Sequence, residues 1–566
     1  MLDSSVAVAM SLEHTQLVVF AVVGAVVTAF SNGANDSANS MGTSYGAKSL
    51  SLRQAILVGA LAEFVGALCL GSSVAKTISK GVIEPESFAV ECDGPLHFGL
   101  AMISVLAGTG STTLLATLYG LPISASHGVI GGLVAVGVRA HGASSIGARA
   151  LLATSLAWLM SPLAGLATSA TIHALIHVAV HRAPQQARRA RALQPLMAAL
   201  TVFVAASFFL VAGASPVEPL AFAIAIAAAI GLTAASLVCA VRRLWPPPPL
   251  PQTRCLEDLI VEKHVQATAL YEGSRSANRG GEVDEEAHAE QPEKSLQEKR
   301  LGRFQEKRLG APVRLPPVKR SSTRALDGID IGIEMSKGGE AAQVGLLSDE
   351  ATERVFSPLL ILSAVTVAFA HGGNDLGNSI GPLIAVIEAL SPAGDITRPP
   401  SVPAWALLLG AGAFAAGIVA IGSSVILTVG GKITQLTPSR SFAVQTGTAV
   451  SVLVSTAMGL AVSTSHCLVG SVIGVSLVSK VFFVSPTHPF LPYVAPHFSH
   501  ISHFILVFKC CGIGGELNLG TLAKIVIGWL TTIPLAMLVS LGTFEALTHV
   551  YLSGGHGGIN QNNASC

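Results

Sequence analysis

The chain has 566 residues, of which 51% are hydrophobic and 12% charged, and its mean hydropathy is +0.61 with a net charge of +1. So few charged side chains exclude a soluble globular protein of this length and place the chain in a membrane. No basic stretch carries the interleaved aromatic residues of a nucleic-acid surface, so we expect no nucleic-acid partner.

Apolar stretches long enough to cross a lipid bilayer recur along the chain. A helix needs about 17 to 25 residues to span a hydrocarbon core about 30 Å thick. The stretches lie near Leu17, Ile56, Leu100, Leu151, Leu196, Phe222, Leu359, Leu407, Val450, Ile505 and Val526. Strands of a membrane barrel would alternate apolar and polar residues, and these runs do not. The sequence therefore predicts an all-α polytopic membrane protein with about ten to twelve transmembrane helices.

A polar segment divides the chain into two membrane halves. Residues 246–354 hold 16 of the 34 Lys and Arg residues and 19 of the 33 Asp and Glu residues. This composition predicts a largely disordered linker between an N-terminal half, residues 1–245, and a C-terminal half, residues 355–566. Further basic residues gather at 182–191 and at Arg242 and Arg243. By the positive-inside rule we expect these loops and the linker to be cytoplasmic.

The two halves share motifs at a fixed spacing of 339 residues. The stretch SNGANDSANS in the first half corresponds to AHGGNDLGNS in the second, and GLPISASHGVIGG corresponds to GLAVSTSHCLVGS. Matching positions include Asn35 with Asn374, Asp36 with Asp375, Asn39 with Asn378, Thr109 with Thr448, Ser124 with Ser463, Ser126 with Ser465 and His127 with His466. Such duplication is typical of secondary transporters built from repeats, which we expect to be inverted.

The first motif pair has the chemistry of a cation site. Glycines beside polar residues predict a broken helix at each motif, and broken helices in membranes line cavities. An ionised Asp at the bilayer centre costs about 2.5–3.5 kcal/mol, which a cation bound at Asp36 and at Asp375 would offset. Carboxylate and amide oxygens suit a hard cation, so we predict Na⁺ at both aspartates, with Asn39 and Asn378 as further ligands. A proton is the alternative.

The second motif pair has the chemistry of an anion site. We expect both SxSH stretches to form hairpin tips at which a half-helix begins, so that free backbone N–H groups and hydroxyls bind an oxyanion. The predicted substrate-binding residues are Ser124, Ser126, Ser463, Thr464, Ser465, Asn35, Asn374, Thr109 and Thr448. Bonding of the hydroxyls back to helix carbonyls is the competing interpretation.

Four other polar residues lie in apolar surroundings. Glu63 and Gln445 are predicted to face the cavity as cation ligands, although a packing role remains open for Gln445. His127 and His466 are either packed imidazoles or gating and proton-sensing groups. The eight cysteines show no metal-binding spacing, and we expect no cofactor other than the coupling ion.

The motifs GANDSANSMGTSYGAKSLS, GGNDLGNSIGPL, LPISASHGVIGG and STSHCLVGSVIG resemble the duplicated signatures of the inorganic phosphate transporter (PiT) family. The resemblance implies twelve helices in inverted repeats, extracellular termini, a large cytoplasmic loop and cotransport of phosphate with Na⁺ or, in some members, H⁺. It also implies that Asp36, Asp375 and Glu63 are functional carboxylates. Gln445 stands where relatives often carry a glutamate, which leaves the cation and the number of cation sites open.

We therefore predict a secondary transporter that imports inorganic phosphate with Na⁺ across the plasma membrane, and not an enzyme. Coupling to H⁺ and transport of sulfate are the alternatives. A receptor without transport and an intramembrane hydrolase using Ser126, His127 and Asp36 are more remote, since each element of that triad is duplicated. Partners are phosphate, the cation and the lipid bilayer; a homodimer is one oligomeric state that the sequence leaves open.

Overall fold

The computed structural model describes residues 12–91, 93–213, 217–244, 332–392, 394–429, 437–483 and 519–553. Within these ranges the chain is helical, apart from one isolated bridge between Ile83 and Ile146. Nine of the described helices are long and apolar enough to cross a membrane. The predicted all-α membrane class is confirmed, and the predicted crossing near Ile505 lies outside the described residues.

The described part of the first half contains eight α-helices. Helix α2 begins with a capping box, because the Ser51 hydroxyl accepts from the backbone N–H of Gln54 and the Gln54 side chain accepts from the backbone N–H of Ser51. Helix α6 is extended by one π-helical turn, His177–His181. The helices are α1 Leu12–Gly46, α2 Leu52–Lys80, α3 Glu86–Ala89, α4 Gly94–Leu118, α5 Ala125–His141, α6 Ala148–Ile176, α7 Gln186–Ala212 and α8 Leu220–Leu244.

The described second half contains seven α-helices. They are α9 Gly332–Asp375, α10 Gly377–Ala389, α11 Ala404–Ile421, α12 Ser423–Val429, α13 Pro438–Ala457, α14 Thr464–Phe483 and α15 Leu519–Thr548. The described residues of the two membrane halves belong to one compact unit. Most of the predicted linker lies outside the described residues, and its last part is the beginning of α9.

Two helical hairpins enter the membrane unit from opposite ends. We name hairpin A (α4, residues 119–124 and α5) and hairpin B (α13, residues 458–463 and α14). We call the side of the unit at which α2 ends the far face. The base of hairpin A lies there, close to the bridge between Ile83 and Ile146. We call the side at which α1 ends the linker face. The base of hairpin B lies there, and Glu353 accepts from the backbone N–H of Ser439 at 2.7 Å. The tips of the two hairpins therefore meet inside the unit.

Glycines allow the central helices to cross at close range. A Cβ on Gly372 of α9 would lie 1.9 Å from the carbonyl oxygen of Glu63 on α2. A Cβ on Gly33 of α1 would lie 2.2 Å from the carbonyl oxygen of Phe414 on α11. Both distances are far below van der Waals contact, so only glycine permits these two equivalent crossings.

The prediction of a broken helix at the first motif is wrong. Helix α1 runs without interruption through Asn35, Asp36 and Asn39, and only the second motif is interrupted, at Leu376 between α9 and α10. The physical reason is that Gly33 serves close packing against Phe414, while the side chains of Asn35 and Asp36 bond to other helices and do not compete for the backbone of α1. The main interruptions of helical backbone near the duplicated motifs are the tips of hairpins A and B.

Candidate functional site

Both hairpin tips have the same backbone design. Gly120 and Gly459, two residues beyond the ends of α4 and α13, have φ angles of +65° and +69°, a conformation that glycine adopts without strain. Ser124 then caps α5 by accepting from the backbone N–H of His127 at 3.4 Å, and Ser463 accepts equivalently from His466 at 3.4 Å. The prediction that both SxSH stretches form hairpin tips is confirmed.

Two asparagines join the central helices to these tips. The Asn35 amide donates to Thr117 and to the carbonyl of Leu121, each at 3.0 Å, and its oxygen accepts from the backbone N–H of Ile123 at 3.0 Å. Asn374 makes the same three bonds to hairpin B, with Thr456 at 3.0 Å, Leu460 at 3.0 Å and Val462 at 3.2 Å. Each amide therefore uses its donors and its acceptor to hold a hairpin, and neither presents an unengaged group to the centre.

The first aspartate contacts the opposite half of the chain. Asp36 on α1 is buried, and its Oδ1 accepts from Asn39 at 3.0 Å and from the hydroxyl of Thr464 at 3.2 Å. Thr464 is the first residue of α14, so this bond links α1 of the first half to the tip of hairpin B. Any change at the Asp36 carboxylate therefore acts directly on that tip.

The second aspartate is linked to the tip of hairpin A through an asparagine. The Oδ1 atom of Asp375 accepts from Asn378 at 3.3 Å, and Asn378 also donates to the Ser126 hydroxyl at 3.1 Å. Ser126 in turn donates to the carbonyl of Val462 in hairpin B at 3.0 Å. Through this chain of bonds, the second aspartate contacts both hairpin tips.

A third buried carboxylate lies beside the first aspartate. Glu63 on α2 is buried and accepts at Oε1 from the Ser40 hydroxyl at 2.7 Å. Gln445 on α13 donates to the carbonyl of Ser40 at 2.9 Å and to the hydroxyl of Thr43. The structure therefore brings Glu63 and Gln445 to the same part of α1 that carries Asp36.

Several buried oxygens in this region lack a hydrogen-bond donor among the described residues. They are Oδ2 of Asp375, Oδ1 of Asn378, Oε2 of Glu63, Oε1 of Gln445 and Oδ1 of Asn32. None of the Lys or Arg salt bridges among the described residues involves Asp36, Glu63 or Asp375. Buried acceptors without donors are costly, and a hard cation that takes several oxygen ligands would satisfy them.

The two motif histidines lie in a row of aromatic rings at the hairpin tips. The His127 and His466 ring centroids are 4.9 Å apart, Trp158 lies 4.2 Å from His127, and Trp529 lies 3.6 Å from His466. Trp158 donates to the carbonyl of Ala461 at 3.0 Å, and Trp529 donates to the hydroxyl of Ser465 at 3.2 Å. Both ring nitrogens of His127 are buried without a partner among the described residues. The histidines are thus packed, yet retain unused proton-binding atoms.

Two predicted substrate residues lie away from this cluster. Thr109 and Thr448 are buried within α4 and α13, and Thr448 donates to the carbonyl of Val444 in its own helix at 2.9 Å. Each precedes the threonine bonded by the motif asparagine by eight residues, which corresponds to about 12 Å along a helix. The described contacts therefore do not bring Thr109 or Thr448 to the hairpin tips.

Sequence reasoning missed several residues of the cluster. They are Asn32, Ser40, Thr117, Thr456, Trp158 and Trp529. Thr117 and Thr456 are themselves 339 positions apart, so the duplication could have identified them. The tryptophans carry no such signal, because their contacts join segments that are distant in sequence.

Comparisons with known proteins agree with this architecture. A family model described as the phosphate transporter family matches residues 32–540. The phosphate-repressible phosphate permease of Neurospora crassa is 26% identical over 93% of this chain and 96% of its own length. The chloroplastic inorganic phosphate transporter 2-1 of Arabidopsis thaliana is 31% identical over 79% of this chain and 63% of its own length.

A solved structure has the same overall arrangement. It is described as the sodium-dependent phosphate transporter, is 26% identical and aligns with a TM-score of 0.66, covering 94% of this chain and 100% of its own. The family match, the helical membrane unit and the paired hairpins lead to one conclusion. The chain belongs to the phosphate transporter family and is a multi-pass membrane transporter, not an enzyme.

Proposed function

We propose that this protein imports inorganic phosphate together with Na⁺. The observation that carries the proposal is the group of buried oxygens without donors around Asp36, Glu63 and Asp375, in a region where no described Lys or Arg balances the carboxylates. The solved relative described as the sodium-dependent phosphate transporter supports Na⁺ as the coupling ion.

The proposed cation sites lie at the two aspartates. Asp36, Asn39, Glu63 and Gln445 would supply oxygen ligands on one side of the cluster. Asp375 and Asn378 would supply them on the other, and the oxygens without donors, Oδ2 and Oδ1 respectively, are the atoms available to the ion. Carboxylate, amide and hydroxyl oxygens form a hard donor set, which fits Na⁺ and does not favour a transition metal.

The proposed phosphate site lies between the hairpin tips. Helices α5 and α14 both begin there, so their backbone N–H groups and the positive ends of their dipoles face the same space. The hydroxyls that would add donors belong to Ser124, Ser126, Ser463, Thr464 and Ser465. We assign Asn35 and Asn374 to positioning the tips, because all their hydrogen-bonding groups are already engaged with the hairpins.

Shared residues explain how the two ions would be coupled. Thr464 bonds to Asp36 and lies at the tip of hairpin B, while Ser126 bonds to Asn378 and lies at the tip of hairpin A. A cation at either aspartate therefore changes the donors offered to phosphate. Because the hairpins enter from opposite faces, movement of one tip away from the other would open the site to one side at a time. We place the linker face in the cytoplasm and the far face outside the cell, which would make uptake inward.

Coupling to H⁺ is the second candidate. Two observations favour it: the ring nitrogens of His127 and the Nδ1 atom of His466 have no partner among the described residues, and both rings lie at the hairpin tips. A neutral imidazole has one ring nitrogen that can accept a proton. In that case the histidines would carry the coupling ion and the carboxylates would hold cations only structurally.

Uptake of radiolabelled phosphate into proteoliposomes separates these candidates. One arm imposes a Na⁺ gradient, a second imposes a proton gradient, and a third adds excess sulfate to the Na⁺ arm. We expect accumulation that follows Na⁺ and resists sulfate. Accumulation driven by protons alone would replace Na⁺ with H⁺ as the coupling ion, and abolition by sulfate would contradict selectivity for phosphate.

A further inference from the structure

Two histidines and a glutamate converge at the far face, at the base of hairpin A. Glu91 lies in the loop between α3 and α4, His97 in the first turn of α4, and His141 at the last residue of α5. One ligand atom from each of the three lies within 4.8 Å of the others. This cluster is separate from the proposed phosphate and cation sites, which lie at the opposite end of the same hairpin.

The two imidazoles face the two oxygens of one carboxylate. The Nδ1 atom of His97 lies 3.2 Å from Oε2 of Glu91, and the Nδ1 atom of His141 lies 3.7 Å from Oε1. A hydrogen bond accounts for the first distance, whereas the second exceeds hydrogen-bond length. The Nε2 atom of His141 is buried and has no partner among the described residues. Internal hydrogen bonding therefore leaves His141 unsatisfied.

Aromatic packing holds both rings in place. Phe88 is fully buried and makes edge contacts with His97 and His141, at centroid distances of 5.5 and 4.2 Å. Phe544 of α15 stacks on His97 at 5.3 Å with an interplanar angle of 8°. The imidazoles are thus fixed before any ligand arrives, which lowers the entropic cost of binding.

The donor set and its spacing suit zinc. Two imidazole nitrogens and one carboxylate oxygen are common zinc ligands, and tetrahedral bonds of about 2.0–2.2 Å place neighbouring ligand atoms about 3.4 Å apart. One ligand atom from each residue lies within 4.8 Å of the other two, and the two Nδ1 atoms lie 3.2 and 3.7 Å from the two separate oxygens of Glu91. The Glu91 side chain is 48% exposed, so an ion can reach the site from the far face and keep water as its fourth ligand.

We propose that Glu91, His97 and His141 form a binding site for a divalent transition-metal ion, Zn²⁺ above all. Bound zinc would connect the α3–α4 loop with both arms of hairpin A at its base. The ion would thereby restrain the hairpin whose tip carries Ser124 and Ser126. The proposal does not depend on which ion drives transport.

Equilibrium binding of radioactive zinc to the purified full-length protein in phosphate-free buffer tests this site. We expect the variants His97→Ala and His141→Ala to bind one zinc equivalent less than the wild-type protein. If they retain this equivalent, their affinity for it should be at least about tenfold lower. Glu91→Gln should weaken the same equivalent while keeping the size of the side chain. His177→Ala is the matched control, because it removes an imidazole at the linker face and should retain the full binding.

Phosphate uptake without zinc, at the wild-type rate, shows that each variant is folded. Zinc binding that is equal in number and affinity in the wild type, His97→Ala and His141→Ala would overturn the proposal. So would a loss of the same equivalent in His177→Ala, because that result would place the site at the linker face.

Discussion

The surroundings of the two aspartates differ although the motifs that carry them are duplicated. Gly372 packs against the carbonyl oxygen of Glu63 as Gly33 packs against that of Phe414, so Glu63 and Phe414 occupy equivalent places on α2 and α11. At the spacing of 339 residues, Gln445 corresponds to Leu106. The first aspartate therefore has a carboxylate and an amide where the second has two apolar side chains.

The duplicated structure and the additional ligands of the first aspartate have different roles. The asparagine bonds to the hairpin tips and the glycine crossings are the same in both halves, and they position the hairpins. The extra ligands lie beside the first aspartate only: Ser40 bonds to Glu63, whereas its counterpart Ser379 donates to the carbonyl of Leu376 in its own segment. We therefore expect two cation sites of unequal affinity within one symmetric scaffold.

Removing either central carboxylate should have the largest effect. Asp36→Asn and Asp375→Asn each keep the shape of the side chain but lose its charge, and a charged ligand contributes about 1.5–3 kcal/mol, or at least about tenfold in affinity. Phosphate uptake at a fixed, moderate Na⁺ concentration should fall by about that factor or more in both variants. Glu388→Gln, which removes a carboxylate at the far face, is the control, and uptake by Asp375→Asn at the wild-type rate would contradict a two-site account.

The asparagines of the symmetric frame should affect stability equally in both halves. Asn35→Ala and Asn374→Ala each remove three hydrogen bonds and leave buried partners unsatisfied, a loss of about 2–4 kcal/mol. Both variants should show similarly lowered melting temperatures in detergent. A fall in only one of them would show that the two hairpins are not held alike.

Glu63 should act chiefly on the first cation site. Glu63→Gln retains an acceptor for the Ser40 hydroxyl but loses the charge near Asp36, so we expect the Na⁺ concentration for half-maximal uptake to rise about tenfold while the maximal rate changes less. Na⁺ titration of phosphate uptake measures this shift. Ser379→Ala, the change at the counterpart of Ser40, should leave the titration unchanged, and an equal shift in that control would remove the distinction between the two halves.

Gln445 should give the smallest effect, and in the opposite direction. Gln445→Glu adds a carboxylate beside Ser40 and Glu63, where a bound cation would offset its buried charge. Half-maximal uptake should then require less Na⁺, by a factor on the order of three, a modest share of what a charged contact contributes. The same Na⁺ titration detects it, and a rise in the Na⁺ requirement would show that Gln445 does not face the ion.

The duplicated register predicted much of this arrangement. Paired positions at a spacing of 339 residues identified both aspartates, the asparagines and the serines of the tips, because a repeated buried polar residue is hard to explain by local structure. The same reasoning failed for the helix break, since the glycines of the first motif serve helix crossing and α1 continues through them. Local sequence does not distinguish a glycine that breaks a helix from one that lets another helix approach.

Contacts between helices that are distant in the sequence were beyond prediction. The bond from Thr464 to Asp36 joins residues 428 positions apart, and the approach of Trp158 to His127 depends on how α6 packs. The cluster of Glu91, His97 and His141 likewise forms only when the ends of α4 and α5 come together. No periodicity or spacing reports such contacts, because they depend on tertiary packing alone.

The central claim is that Na⁺ bound at the two aspartates moves with phosphate. The most direct test measures radioactive Na⁺ and phosphate entry together in proteoliposomes containing the wild-type protein, Asp36→Asn or Asp375→Asn. Na⁺ entry should require phosphate in the wild type and should fall together with phosphate entry in both variants. Phosphate entry without Na⁺ entry, or Na⁺ entry that is unchanged in both variants, would contradict it.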